Sequence, residues 1–204
     1  MPDGRTHENR ARYSGRRAFL DAVAMVNIIG IAITEVTAFP EGGIGLKLYS
    51  AVVIGLFIGL WLVLRRYEFP VWLVLVLQLA LLGHLAGRLV TVGGVPLYRT
   101  VILGVPSDKT VHAFNAMAGA AFLTVFFRRI ELRLRGWESF VVTMVIGGCG
   151  ALIEIIEYGG VLVLPSTHVG DYANNAQDLV ANLVGAVLGW ALVRLVSGRA
   201  AGDT

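Results

Sequence analysis

Six apolar stretches, separated by short polar links, run the length of the chain. They fall at about 18–39, 46–64, 70–90, 110–127, 137–164 and 177–196. About 20 apolar residues in helical form cross the hydrocarbon of a bilayer. The pattern therefore predicts an all-α fold, a polytopic membrane bundle of about six transmembrane helices. Residues 1–17 read as a basic tail, 18–196 as the transmembrane domain and 197–204 as a second tail. The fifth stretch is long for one perpendicular helix. Gly159-Gly160 is expected to break or bend it, or to leave its end in the interface.

Composition supports the pattern. Of 204 residues, 56% are hydrophobic and 15% charged, and the mean hydropathy is +0.71. Too little polar surface remains to coat a soluble core. The net charge of +3 forms no single patch, so no nucleic-acid partner is expected. The first apolar stretch follows five arginines but carries Asp21, Asn27 and Glu35 and has no small-x-small cleavage site after it. It reads as a retained helix rather than a signal peptide. Asp21 and Asn27 read as helix-packing or interfacial groups. One cysteine, Cys149, permits no internal disulfide. The surrounding Gly147-Gly148-Cys149-Gly150 run reads as a close-packing site, since no basic neighbour activates the thiol.

The basic residues set the orientation. The N-terminal tail, the link with Arg65 and Arg66, the link from Arg128 to Arg135 and the C-terminal end hold 13 of the 17. The rich side is cytoplasmic by the positive-inside rule. Both termini are then cytoplasmic, and a bacterial inner membrane is the expected location. Trp61, Trp72 and Trp137 sit where interface anchors would. Gly55/Gly59, Gly83/Gly87 and Gly185/Gly189 form small-residue stripes that let backbones approach. No internal repeat is evident.

Depth singles out the candidate site. At about 1.5 Å per residue, Glu35, His84, Glu154 and Glu157 lie about 20–30 Å from the cytoplasmic helix ends. Asp108, His112, Asp178 and Asn182 open the two helices that enter from outside. His84/Arg88, Asp108/His112, Glu154/Glu157 and Asp178/Asn182 are each three or four apart, so each pair shares a helix face. His168, Asp171, Asn174, Asn175 and Gln177 add ligands in the link before the last helix. Polar groups at helix ends commonly sit among headgroups. A charge within a span costs about 2.5–3.5 kcal/mol on insertion scales and usually has a partner or a function. A purely structural account pairs Arg88 with Glu154 or Glu157.

Two segments resemble known families. One is Asp108-Lys109-x-x-His112. The other runs from Glu154 and Glu157 through Gly170-Asp171 to Asn175-x-x-Asp178-Leu179-x-x-Asn182-x-x-Gly185-x-x-x-Gly189. Residues 105–190 resemble the VanZ-like membrane proteins and the related YjdF-like bacterial inner-membrane family. Glu157 stands where VanZ-like proteins often carry glutamine, which favours the YjdF-like side. The resemblance implies a small bacterial cell-envelope protein and carries over no activity.

Two kinds of function fit. An enzyme acting on a lipid or lipid-linked headgroup in the outer leaflet would use His112, Glu154, Glu157 and Asp178 as catalytic groups. A divalent metal on His112, Glu154 and Glu157 would polarise a phosphoryl oxygen or activate water. His84, Arg88, Asp108, Lys109, Asp171, Asn175 and Asn182 would bind the ligand, with Arg88 and Lys109 on phosphate. A non-catalytic binder of lipid or antibiotic, or an ion- or proton-coupled transporter, would use the same cluster. Carriers place such groups near the midplane, whereas these sit toward one side. A third reading is a structural envelope protein whose polar cluster only locks the helices. Membrane lipids are the expected partners, together with further copies of the chain as a homo-oligomer.

Overall fold

The computed structural model describes residues 7–38, 44–67, 69–102, 104–163 and 172–202. The side chains of Glu35 and Arg88, and the whole of His168 and Asp171, lie outside the described residues. Among the described residues six long helices form at the six apolar stretches: α1 His7–Ala38, α2 Ile44–Arg66, α3 Val71–Leu89, α4 Ser107–Arg129, α5 Glu138–Val163 and α6 Tyr172–Gly202. The chain divides into two compact units, Met1–Glu68 and Phe69–Thr204.

In the first unit α1 packs against α2. Asp21 ties the two together. Its Oδ1 accepts from Trp61 Nε1 at 2.9 Å, and its Oδ2 lies 3.3 Å from Arg65. The Arg65 guanidinium also sits over the Trp61 ring, 5.1 Å from its centroid. Trp61 is thus a helix-pairing residue as well as a bulky aromatic near the arginines. Asn27 turns inward and donates to the Val23 carbonyl at 2.8 Å, a local bond that satisfies a polar side chain on an apolar helix.

The second unit begins at Phe69, whose ring stacks on Phe122 of α4 at 5.1 Å between centroids. Pro70 precedes α3 and, lacking an N–H, suits a helix start. Between α3 and α4, where hydropathy shows only a link, the chain makes two tiny antiparallel hairpins, β1–β2 and β3–β4. The strands are Thr91–Val92, Val95–Pro96, Val101–Ile102 and Val105–Pro106. Gly93 and Gly94 both have positive φ, as a two-residue hairpin turn of the primed type requires. Gly-Val-Pro occurs in both hairpins, a short internal repetition that the hydropathy pattern does not reveal. Tyr98 between them lies flat against α3 at Gly87, where a Cβ would fall 2.6 Å from the ring.

α4, α5 and α6 pack on one another. α4 and α6 run side by side in the same direction with their backbones nearly touching. A Cβ on Gly185 would strike the Ala113 carbonyl, and one on Gly189 would strike the Met117 carbonyl. Gly185 and Gly189 are the small-residue stripe of α6, and Ala113, Ala116 and Ala120 line α4 opposite. Close approach of this kind gives van der Waals packing where lipid leaves little hydrophobic drive between helices. Ala120, Val142 and Ala186 are fully buried at the centre. α5 runs past Gly159-Gly160 to Val163 as one helix, so the glycine pair does not end it. Glycine costs helix stability but does not forbid helix. α6 starts at Tyr172, so Asn174, Asn175 and Gln177 lie in its first turns rather than in the preceding link.

Among the described residues three helical stretches are long and apolar enough to cross a membrane: Ser107–Arg129, Arg135–Gly159 and Tyr172–Ser197. The shorter apolar stretch Val71–Gly87 lies in α3. Their surfaces are inverted relative to a soluble protein. On α5, Ile155 and Ile156 are 65% and 69% exposed while their neighbour Glu154 is 5% exposed. Polar groups face in and apolar groups face out, as lipid solvation demands.

Candidate functional site

The polar residues meet at the end of the second unit where α4 and α6 begin and α5 finishes. Each is placed by the packing just described. Asp178, Asn182, Gly185 and Gly189 lie four, three and four residues apart, so they share one face of α6. That face meets α4. Lys109, Ala113, Ala116 and Ala120 repeat the same spacing on α4. The stripe that brings the backbones together therefore carries Lys109 onto Asp178.

Lys109 is the hub. It is 8% exposed, and its ammonium reaches Asp178 Oδ1 at 2.8 Å and Asp108 Oδ2 at 2.9 Å. It also donates to Asn174 Oδ1 at 2.7 Å. Asn174 in turn donates to Asp178 Oδ2 at 2.8 Å, an i,i+4 bond on the first turns of α6. Asp108 Oδ1 accepts from the Lys109 backbone N–H at 2.8 Å. An acidic group in the first turn of α4 also suits the positive end of the helix dipole. A lysine ammonium has three donors, and here they are distributed among two carboxylates and an amide. Lys109 is therefore committed inside the protein.

His112 sits one turn further along α4, between the other two helices. Its Nε2 is 3.6 Å from Asp178 Oδ1, and its Nδ1 is 3.7 Å from Glu154 Oε1 of α5. Both separations are too long for hydrogen bonds. Among the described residues neither Glu154 oxygen has a hydrogen-bond partner. Asp178 is 2% exposed and Asn182 is likewise buried. Asn182 packs on Gly150 of α5, where a Cβ would fall 2.5 Å from its side-chain nitrogen. Within the Gly147–Gly150 run only Gly150 is a close-packing position; a Cβ on Gly147 or Gly148 would meet nothing within 4 Å. Cys149 beside it is exposed.

The remaining expected residues divide. Glu157 is half-buried one turn beyond Glu154, near enough for its charge to act on that carboxylate. One side-chain atom from each of His112, Glu154 and Asp178 comes within 4.8 Å of the other two, and Glu157 is not in this group. Asn175 is half-buried on α6, and among the described residues its side-chain oxygen has no hydrogen-bond partner. His84 meets Tyr98, whose hydroxyl lies 2.7 Å from its Nδ1 and donates to its backbone carbonyl at 3.0 Å. Tyr98 was not among the residues expected from the sequence. It lies in a link, and nothing in its local spacing points to α3. Asp171 and the Arg88 side chain lie outside the described residues.

Lipid-facing helices around a buried cluster of opposite charges define a helical membrane protein with a polar centre at one end of its second unit. Residues 19–199 match the family described as predicted membrane protein (DUF2238), and the chain belongs to it. No curated protein and no solved structure matches the chain.

Proposed function

We propose that this is a six-span protein of the bacterial inner membrane, with a site facing the outer leaflet that binds or processes the headgroup of a lipid or lipid-linked molecule. The YjdF-like and VanZ-like resemblance of residues 105–190 supports the envelope setting. The observation that carries the reading is the buried Lys109–Asp178–His112–Glu154 cluster. Charges so far from water are retained at a cost, and in membrane proteins they mark sites of ligand or ion handling. Three carboxylates, Asp108, Glu154 and Asp178, face the one ammonium of Lys109. The site therefore favours a positively charged ligand group, or a phosphate bridged by a cation, over a bare phosphate. Its place at the helix ends favours a headgroup over cargo carried through the midplane.

Orientation follows from the arginines, and it has its own check. With Cys149 replaced, a Val101→Cys variant should react with an impermeant thiol reagent on intact cells, and a Gly136→Cys variant should not. The opposite labelling would invert the topology and place the site on the cytoplasmic side. For binding, the protein purified in mild detergent should retain a restricted set of lipids in native mass spectrometry. A Glu154→Gln/His112→Ala double variant should lose that selectivity. Identical lipid profiles from the two proteins would refute headgroup recognition at this cluster.

A further inference from the structure

Spacing along α5 pairs Glu154 with Glu157, but the fold brings a different carboxylate to His112. We propose that His112, Glu154 and Asp178 form a three-ligand site for one divalent transition-metal ion of the zinc or manganese kind. The proposal stands on geometry and burial, and it does not depend on the headgroup reading.

Tetrahedral coordination at bond lengths of about 2.0–2.2 Å sets donor atoms about 3.4 Å apart. His112 approaches Glu154 through Nδ1 at 3.7 Å and Asp178 through Nε2 at 3.6 Å, and a single ion takes only one of these two nitrogens. One donor atom from each of the three residues falls within a 4.8 Å group. The donors must draw together by up to about 1.4 Å to reach that spacing. A second observation is independent of that grouping. Glu154 is 5% exposed, and among the described residues neither of its oxygens has a hydrogen-bond donor. A buried carboxylate is ordinarily satisfied by hydrogen bonds, a cation or a metal. Lys109 is committed to Asp108 and Asp178, and His112 is too far to bond Glu154. A cation seated among the three donors satisfies Glu154.

Charge points the same way. Among the described residues, Asp108, Glu154, Asp178 and the nearby Glu157 outnumber the ammonium of Lys109, an excess that a dication reduces. The surroundings match a ligand shell. The Asp178 carboxylate is held on one oxygen by Lys109 and on the other by Asn174, the outer support that orients metal-binding carboxylates. One imidazole with two carboxylates suits zinc or manganese, whereas an all-oxygen cage would suit calcium. Three protein ligands leave a fourth position open to water or to an oxygen of a bound molecule.

The test uses the full chain in detergent, stripped with a chelator and titrated with Zn2+ by calorimetry. The wild type should bind one equivalent. Glu154→Gln keeps the shape and removes the ligand, and it should weaken Zn2+ by about 100-fold. Glu138→Gln, at the opposite end of the bundle, should bind as the wild type does. Co2+ in the wild-type protein supplies a measurement that needs no variant. A tetrahedral site gives intense visible absorption, and adventitious octahedral cobalt gives almost none. Absence of a stoichiometric Zn2+ site in the wild type would overturn the proposal, as would unaltered binding in Glu154→Gln. If Glu157→Gln alone weakens Zn2+ as much as Glu154→Gln should, the ligand set named here is wrong. Zn2+ binding together with unselective lipid retention would leave the metal site standing and remove the headgroup reading.

Discussion

The two ends of the α4–α5–α6 bundle carry similar residues under opposite conditions. At the basic end Arg194 lies 3.7 Å from Glu138 and is 59% exposed. Arg128 donates to Ser197 at 2.6 Å in the open. Trp190 adds a bond to Glu138 at 3.2 Å. At the other end Lys109, Asp178 and Glu154 are buried, and Lys109 and Asp178 are bonded from several sides. Exposed charges are solvated whether or not they pair, so their pairs contribute little. Buried charges depend on their partners, and removal of one leaves the rest stranded. The charge count of the basic end enters the proposed orientation without any particular pairing. The acidic end needs particular side chains at particular distances, which is what binding requires.

Three substitutions measure the contrast. The largest effect belongs to Lys109→Met, which strands Asp108 and Asp178 together. It should destabilise the detergent-solubilised protein by about 3–5 kcal/mol in a denaturation titration. A loss below about 1 kcal/mol would mean that the cluster is wet and equivalent to the basic end. Gly185→Val should come next, because its side chain meets the Ala113 backbone and not a flexible side chain. About 1–3 kcal/mol is expected from such overpacking, with α6 displaced from α4 and Asp178 drawn off Lys109. Unchanged stability would contradict the close backbone approach. Arg194→Ala should be nearly silent, at most about 1 kcal/mol. A larger loss would show the basic end to be a structural lock as well.

Much of this was legible in the chain, and the remainder has physical causes. Hydropathy located all six helices because long apolar runs are hard to disguise, although among the described residues only three are long and apolar enough to cross a bilayer. It misjudged their starts. The polar first turns of α1 from His7 and of α6 from Tyr172 are helical, but hydropathy does not register a polar helix. It passed over the hairpins at 91–106, whose strands are two residues each. Depth placed Asp108, His112, Glu154, Asp178 and Asn182 at one end of the bundle. Depth says nothing about how each helix is rotated about its axis, and rotation decides which groups touch. The information was partly present. Gly185 and Gly189 mark the face of α6 that meets a neighbour, and stepping back by three and four residues reaches Asn182 and Asp178. On α4 the alanines lead back to Lys109 in the same way. The link from His84 to Tyr98 has no such signal.

The most direct test of a buried, interlocked site is a double-mutant cycle on Lys109 and Asp178, read as unfolding free energy in detergent. Lys109→Met and Asp178→Asn should each be costly, and the double variant should cost well under their sum. A coupling of about 2 kcal/mol or more is expected for charges in direct contact out of water. Additivity within about 0.5 kcal/mol, the behaviour of distant sites, would mean that the two side chains do not meet, and the account of the site would fail.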